Sequence, residues 1–472
     1  MTENAKSWTS YMKPIGAIIG VIVAVWISLI TPPDPLTVSS MRFLGIFVCA
    51  VIWLVVAVIP DFMVIVVTLI ALTAVKVAPL TTIFSAFSSD TCFLLIGALG
   101  IGAGVEKSGL LNRIVLGIMN KFPGTFRGMT TAIFVAANVI NPMIPSVTAK
   151  VTIFAVFIKA IGEKLGYENG SKGMLGMFMA MFLSAGTIYP FFLSATFLTY
   201  TLLGMLPAEA AADITWMKWL SYTIVWGIVL MILLYLVVQI FFKPQEEKVM
   251  DKSYFQDQLT ALGPMTKMEK YILVLLAVAL IGWMTERLHG VSAGMTAMFV
   301  LACMVGLNVL TRDDFRAKIT WDAIVLMMGI IGLAGLFSAL GVSTWLVRLV
   351  GPFMGPIVSN PYLLVFVTCV VIFLIRFILI SQTASLAVFV SLLVPIAANF
   401  GIHPFVIGFI VITAVNTWAV YYQNTSYLAA YYAAGGMITH SQATKGSLFY
   451  TAANIIGLLA SVPLWKMFGL IP

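Results

Sequence analysis

The 472-residue sequence contains few charged residues. Only 9% of the residues are Asp, Glu, Lys or Arg, whereas 61% are hydrophobic. Because a soluble protein carries about 25% charged residues, this composition excludes a chain whose surface is covered by water. Apolar stretches run almost from end to end and leave no room for a separate soluble domain. The composition therefore predicts a single polytopic membrane domain in a cell membrane.

Cysteine and histidine are also scarce. The four cysteines lie in apolar stretches without a Cys-x-x-Cys pair, and the three histidines fall in predicted loops. This pattern predicts no disulfide, metal site or cofactor. It also disfavours an intramembrane enzyme, which would need a Ser/His, paired-Asp or His-Glu-x-x-His arrangement within the membrane. Basic loops that fix the topology explain the net charge of +8 better than a nucleic-acid partner does.

Several apolar stretches have the length of an ordinary membrane span, which needs about 20 residues. The expected spans are 14–30, 42–59, 62–79, 91–112, 219–242, 267–285, 292–310, 321–349 and 445–468. A cytoplasmic N-terminus places most of the loop lysines and arginines inside the cell, in agreement with the positive-inside rule. The same topology places the C-terminus on the extracellular or periplasmic side.

Four further apolar stretches are too long for one straight span. They are 129–160, 175–205, 362–398 and 405–436. A helix of about 31 residues would reach roughly 46 Å, well beyond a bilayer core of about 30 Å. Each stretch has polar or helix-breaking residues near its middle, and backbone groups freed at that depth must face protein or a water-lined cavity. We therefore predict re-entrant hairpins at 129–160 and 362–398, broken helices at 175–205 and 405–436, and a binding site where they meet.

The two halves of the sequence resemble each other. The run from Leu95 to Gly100 recurs 232 residues later, and Gly109 matches Gly341 at the same offset. Ser-x-Thr triplets begin at 146 and 381. These matches predict inverted repeats, a plan common among secondary transporters, with units 1–41 (N-terminal segment and first span), 42–242 (first repeat), 243–266 (cytoplasmic linker) and 267–468 (second repeat). The alternative is a membrane protein whose small residues serve only helix packing.

The four broken stretches contain no Asp or Glu, but they contain Lys150 and Arg376. Intramembrane cations without carboxylate partners are costly and usually functional, so we expect an anionic substrate to be their counter-ion. Helix N-termini at the interruptions would add partial positive charge. For Lys150 the alternative is a side chain that extends to the cytoplasmic interface. For Arg376 the alternative is pairing with backbone carbonyls of the opposite hairpin arm.

At the first triplet the sequence resembles the divalent anion/sodium symporter family, which moves di- and tricarboxylates such as 2-oxoglutarate, malate and succinate. The run from Asn141 to Lys150 is similar to the Ser-Pro-Met-x-Pro-Ser-Asn-Thr-Ala-Arg run of its exchanger branch. The resemblance covers about residues 42–468. It implies an all-α polytopic membrane protein of the ion-transporter superfamily fold, with eleven transmembrane helices plus two re-entrant hairpins in an inverted repeat. It also implies a homodimer and an elevator-type mechanism.

The resemblance and the polar interruptions of the broken helices together predict which residues bind the substrate. The triplets supply Ser146, Val147, Thr148, Ser381, Gln382 and Thr383, and the broken helices supply Ser184, Gly186, Thr187, Asn424 and Thr425. Lys150 and Arg376 are expected to balance the charge of the substrate.

The sequence departs from the family at the places that hold sodium. The middle residue of each family triplet is Asn, and sodium-coupled members carry a hydroxyl one helical turn earlier. Here these places are Val147, Gln382, Pro142 and Phe377. Because Val and Phe offer no oxygen ligand, we expect sodium-independent transport of dicarboxylates. Because the fixed charges of Lys150 and Arg376 oppose the return of an empty carrier, we expect this transport to be obligate exchange. The alternatives are a Na⁺- or H⁺-coupled symporter of the same anions and, more distantly, export of arsenite or Na⁺/H⁺ exchange.

Overall fold

The computed structural model describes residues 3–251 and 253–472, which form helices without a β-strand. The first half contains α1 (Glu3–Leu29), α2 (Val38–Val56), α3 (Asp61–Ala74), α4 (Leu80–Ile83), α5 (Asp90–Ser108), α6 (Leu110–Met119), α7 (Phe126–Ile140), α8 (Val147–Lys164), α9 (Lys172–Ala185), α10 (Phe197–Met205), α11 (Ala208–Asp213) and α12 (Trp216–Phe241). The second half contains α13 (Ser253–Ala261), α14 (Lys267–Met284), α15 (Glu286–His289), α16 (Ala293–Gly306), α17 (Arg312–Ala317), α18 (Trp321–Ala339), α19 (Val342–Val358), α20 (Pro361–Ile375), α21 (Gln382–Ala398), α22 (Pro404–Ala414), α23 (Thr425–Ala433) and α24 (His440–Met467). The predicted all-α class is confirmed.

Seven helical segments in the described ranges are long and apolar enough to cross a membrane. They are α1, α2, α5, α12, α18, α24 and α9 together with the turn that follows it. Shorter apolar helices of 10–17 residues accompany them, namely α3, α6, α16, α20, α21 and α22. The chain is therefore a multi-pass membrane protein. The count of eleven spans plus two hairpins stays a prediction.

Two stretches that the sequence predicts as single spans are each divided by a glycine. In the stretch 91–112, α5 ends at Ser108 and α6 follows Gly109, whose φ is +76°. In the stretch 321–349, α18 ends at Ala339 and α19 follows Gly341, whose φ is +71°. A positive φ suits glycine and ends a helix. The glycines that indicated the repeat thus interrupt both halves at matching places.

The four overlong stretches are all interrupted. Residues 141–146 separate α7 from α8 and are called the first tip, while residues 376–381 separate α20 from α21 and are called the second tip. Residues 186–196 separate α9 from α10 as the first break, and residues 415–424 separate α22 from α23 as the second break. The second break begins at Val415, eight residues before the polar run of residues 423–426 in which the sequence places it.

The interrupted helices pack on one another in matching pairs. In the first half α9 packs against both α7 and α8, and in the second half α22 packs against both α20 and α21. Across the halves, α8 packs against α23 and α21 packs against α10. This packing brings both tips and both breaks into one region of the molecule.

The helices α5 and α6 are tied to the second half by charged groups at their ends. Lys107 donates to Asp314 in α17 at 2.5 Å, and Arg113 donates to Glu269 in α14 at 2.8 Å. The Lys107 ammonium and hydrogen bonds from Thr311 hold the pKa of the Asp314 carboxyl well below its usual range. In between, α5 lies directly against α16, with Gly97 facing the backbone of Ala297.

The close approach of α5 and α16 yields a stability prediction. A Cβ atom at Gly97 would lie 2.6 Å from the carbonyl carbon of Ala297. We expect Gly97→Leu to lower the free energy of unfolding by about 1–3 kcal/mol, because overpacking forces the backbones apart. Thermal unfolding in detergent measures the loss. The matched control is Gly117→Leu, since a Cβ there meets no atom within 4 Å. Equal unfolding temperatures for both variants would contradict the packing argument.

Candidate functional site

A cavity of about 310 Å³ lies where the two tips and the two breaks meet the turn between α2 and α3. Much of its wall is polar. The polar side chains belong to Asp61, Thr148, Tyr189, Thr196, Ser381, Gln382, Thr383, Asn416, Tyr422, Gln423, Thr425 and Ser426. Both Ser-x-Thr triplets therefore contribute residues to one cavity, although they are 235 residues apart in the sequence.

A larger cavity of about 740 Å³ lies elsewhere, among α10, α11, α16, α18 and α21. Its wall includes the carboxylates of Asp90 and Glu286 and no lysine or arginine. None of the predicted substrate residues lines it. The smaller cavity is therefore the candidate site.

Four helices begin at the wall of the smaller cavity. The first turns of α8, α10, α21 and α23 contribute Thr148, Leu198, Thr383 and Ser426, respectively. Each helix is capped by a side chain of the residue before it, namely Ser146, Thr196, Ser381 and Asn424. The N-terminus of a helix carries partial positive charge and free N–H groups. Four such ends around one cavity favour an anion inside it.

Six of the eleven predicted substrate residues line the cavity: Val147, Thr148, Ser381, Gln382, Thr383 and Thr425. Ser146 lies just outside, and its hydroxyl oxygen accepts a hydrogen bond from the N–H of Ala149 at 3.3 Å. Ser381 caps its own helix in the same way, with the N–H of Ala384 at 3.3 Å. The serines of the triplets thus shape the helix ends, and the hydroxyl of Ser381 donates its hydrogen to Asp61 in the cavity wall at 3.4 Å.

The other four predicted residues do not line the cavity either. The hydroxyls of Ser184, in α9, and of Thr187, just after it, donate to carbonyls of α9, each at 2.6 Å, so both hydroxyls bond to the backbone of the preceding turn. Asn416 donates to the carbonyl of Gly186 at 3.3 Å and accepts from the amide of Asn424 at 2.8 Å. Gly186 and Asn424 therefore join the first break to the second through Asn416.

Lys150 lies behind the first tip and does not line the cavity. Its side chain is fully buried, and its ammonium donates to the side-chain oxygen of Asn141 at 3.0 Å and to the carbonyl of Ala195 at 2.9 Å. A longer bond of 3.4 Å reaches the carbonyl of Asn141. The side chain therefore does not extend to a surface, and it links the first tip to the first break.

Arg376 has the corresponding role at the second tip. It is also fully buried, and its guanidinium donates to the carbonyls of Leu379, at 2.7 Å, and of Ile380. It also donates to the carbonyl of Gln423 in the second break. In return, the side-chain amide of Gln423 donates to the carbonyl of Arg376 at 3.2 Å. Arg376 is thus paired with backbone carbonyls, which is the alternative that its position in the sequence left open.

The two halves carry their buried cation at different members of a corresponding pair of positions. The pair is Asn141 and Lys150 in the first half, and Arg376 and Ser385 in the second half. Asn141 and Arg376 are 235 residues apart, and Lys150 and Ser385 are separated by the same interval. In the first half Lys150 donates to the side-chain oxygen of Asn141. In the second half the direction is reversed, and Arg376 donates to the hydroxyl of Ser385 at 3.2 Å. Each half therefore has one buried cation bridging its tip and its break.

Several residues of the cavity were not predicted from the sequence. Tyr189 in the first break accepts a hydrogen bond from Gln382 at 3.0 Å, and Ser426 lies 3.0 Å from the hydroxyl of Thr148. Both residues lie beside a helix interruption, and that position in the sequence could have indicated them as cavity residues. Asp61 also lines the cavity, but it lies outside the four overlong stretches, so no pattern in those stretches points to it.

The described ranges bring no three His, Cys, Asp or Glu side chains together as a metal site would. The four cysteines are free thiols. The polar groups that line the cavity offer hydrogen bonding by hydroxyl, amide, carboxylate and helix-terminal groups.

The bonds of Lys150 generate a stability prediction. We expect Lys150→Met to lower the free energy of unfolding by about 2 kcal/mol or more, because the carbonyl of Ala195 and the amide of Asn141 lose their buried partner. Thermal unfolding in detergent tests this. The matched control is Lys159→Met. The ammonium of Lys159 also donates to a carbonyl, that of Gly435, but this bond lies near the surface. A Lys150→Met variant as stable as the control would show that the first tip holds its shape without the cation.

Comparison with known proteins places the chain among membrane transporters. It is 28% identical to the inner membrane protein YbhI of Escherichia coli, over 66% of this chain and 69% of the relative. It is 25% identical to dicarboxylate transporter 1 of spinach chloroplasts, over 84% and 70% of the respective lengths. It is 24% identical to the L-tartrate/succinate antiporter of Shigella flexneri, over 64% and 62%.

The fold is shared with a solved transporter structure. The YdaH transporter of Alcanivorax borkumensis aligns with a TM-score of 0.56 and 15% identity, and the alignment covers 87% of this chain and 99% of that transporter. The family described as the sodium:sulfate symporter transmembrane region matches residues 12–471. With nearly the whole length matched, the chain belongs to this family of divalent anion/sodium symporters.

Proposed function

We propose that the protein exchanges di- and tricarboxylates of the 2-oxoglutarate, malate and succinate class across the cell membrane. The observation that carries this proposal is the convergence of four helix N-termini and both Ser-x-Thr triplets on one cavity. Free N–H groups and hydroxyls at helix N-termini suit carboxylate oxygens. The printed names of the spinach and Shigella relatives, a dicarboxylate transporter and an L-tartrate/succinate antiporter, support the same substrate class.

Transport without sodium is the finer part of the proposal. Val147 and Phe377 offer no side-chain oxygen beside the tips, and Pro142 offers none either. The hydroxyls of Ser184 and Thr187 donate to carbonyls of α9 and do not line the cavity. Of the four places that hold sodium in the family, only Gln382 therefore supplies a side-chain oxygen. A Na⁺- or H⁺-coupled symporter of the same anions is the alternative.

Fixed positive charge supports obligatory exchange. Lys150 and Arg376 lie one layer behind the cavity wall, in segments without Asp or Glu. Moving these charges through the membrane is expensive when the cavity is empty. A bound dianion offsets them, so the loaded carrier crosses readily in both directions. Lys150 and Arg376 thus balance charge from a distance and do not contact the substrate.

We further propose that the two tips and two breaks move as one unit in an elevator-type mechanism. The mutual packing of α7–α10 and α20–α23 supports such a unit. The remaining spans would form the static scaffold, which would also make the contact of a homodimer. The matched interruptions of the two halves support an inverted repeat, with the N-terminus in the cytoplasm and the C-terminus on the opposite side.

The first functional prediction concerns counterflow. Proteoliposomes loaded with unlabelled succinate are expected to take up labelled succinate without Na⁺, whereas empty vesicles take up almost none, since the empty carrier does not return. Vesicles without protein provide the background. Strong uptake into empty vesicles that requires a Na⁺ gradient would instead establish the symporter.

The second functional prediction concerns the hydroxyls of the cavity. We expect Thr148→Ala and Thr383→Ala each to weaken succinate binding by about 1.5–3 kcal/mol, the range for a hydrogen bond to a charged group. Binding to the purified carrier measures the change. Thr187→Ala is the matched control, because the hydroxyl of Thr187 donates to the carbonyl of Leu183 and does not line the cavity. Unchanged affinity in both cavity variants would remove the triplets from the substrate site.

A further inference from the structure

One carboxylate stands in the wall of the candidate cavity. Asp61, the first residue of α3, is partly buried and lines the cavity together with the second triplet. Its side-chain oxygen accepts a hydrogen bond from the hydroxyl of Ser381 at 3.4 Å. Among the lining residues, all of which are described, Asp61 alone carries a charge. The cavity is therefore rich in donors, with a single anionic acceptor.

This acceptor treats different dianions unequally. An ionised carboxylate has about four lone-pair positions and no proton to donate. A substrate made only of carboxylates brings further acceptors to Asp61, and the two negative groups repel each other. A substrate that also carries a hydroxyl brings a donor, and a hydrogen bond to a charged group is strong. When a bound substrate covers the Asp61 carboxylate without donating a hydrogen bond to it, binding loses the free energy of desolvating that carboxylate.

We propose that Asp61 makes the carrier select dicarboxylates that bear a hydroxyl next to a carboxylate over dicarboxylates without one. This inference rests on the proposed function, since it assigns Asp61 to the same site and narrows its substrate class. The helix ends and triplet hydroxyls bind the carboxylates that both kinds of anion share. Asp61 accepts the hydroxyl hydrogen that only one kind possesses.

Asp61 also has a structural use, which the test must separate from selectivity. An aspartate in the first turn of a helix interacts favourably with the helix dipole, and α3 has no side-chain cap at Pro60. Asp322 provides the matched case. It lies in the first turn of α18, is exposed and does not line the cavity. A loss of the helix-dipole contribution alone would therefore occur in both Asp61→Asn and Asp322→Asn.

The experiment compares L-malate and succinate, which differ by one hydroxyl, as competitors of labelled counterflow in proteoliposomes. The wild-type carrier is expected to prefer malate by roughly tenfold or more, the factor that one charge-assisted hydrogen bond gives. Asp61→Asn is expected to remove most of this preference, mainly by raising the affinity for succinate. Asp61→Glu retains the charge and is expected to retain a preference for malate. Asp322→Asn is expected to match the wild type.

The outcomes distinguish this inference from the proposed function. A wild-type carrier that exchanges succinate as well as or better than malate overturns the role of Asp61 and leaves dicarboxylate exchange intact. The same conclusion follows if Asp61→Asn keeps the wild-type ratio. A wild-type carrier that exchanges neither anion overturns both proposals. Because a wild-type carrier without a preference for malate is enough to overturn the role of Asp61, the proposal stays falsifiable even if a variant does not fold.

Discussion

Where a helix is interrupted in an apolar interior, its freed backbone groups need hydrogen-bond partners. The rest of this structure depends on which side chains supply those partners. The first tip and first break are joined by Lys150, which gathers the carbonyl of Ala195 and the side chain of Asn141. The second tip and second break are joined by Arg376, which reaches the carbonyls of Leu379 and Gln423. With these carbonyls satisfied from behind, the N–H ends of the following helices are left to face the cavity. The buried cations thus shape the proposed anion site without entering it.

The halves reach this arrangement through different residues. In the first half the cation follows the tip, and in the second half the cation is the first residue of the tip, although the carbonyls that they bind belong to matching breaks. Lysine presents three donors from a single point, whereas arginine presents a planar fork. Arg376 accordingly spans three backbone carbonyls, while Lys150 needs the amide oxygen of Asn141 to complete its set. What the halves share is the position of the positive charge, and the identity of the side chain differs.

Much of the site could be predicted from the sequence because its signals are local. Overlong apolar stretches with polar centres indicated the interruptions, and Ser146 and Ser381 lie where the helices resume. The directions of Lys150 and Arg376 could not be predicted, because either side of a tip is open to a long side chain until the breaks are placed. Asp61 was missed for a different reason. It follows an ordinary span, and only tertiary packing brings the turn before α3 to the second triplet. Membrane depth and the number of crossings depend on the bilayer, which helix bounds alone do not define.

The hydrogen-bonded chain through Asn416 has a consequence for the energetics of the proposed movement. One amide connects the carbonyl of Gly186 in the first break to Asn424, which in turn caps α23 by accepting from the N–H of Tyr427. If one break moved ahead of the other, this buried chain would be severed and its polar atoms would be left without partners, which costs free energy at each atom. Intermediates in which only one half has moved would therefore be poorly populated. The two halves, although encoded far apart, would cross the barrier in a single cooperative event.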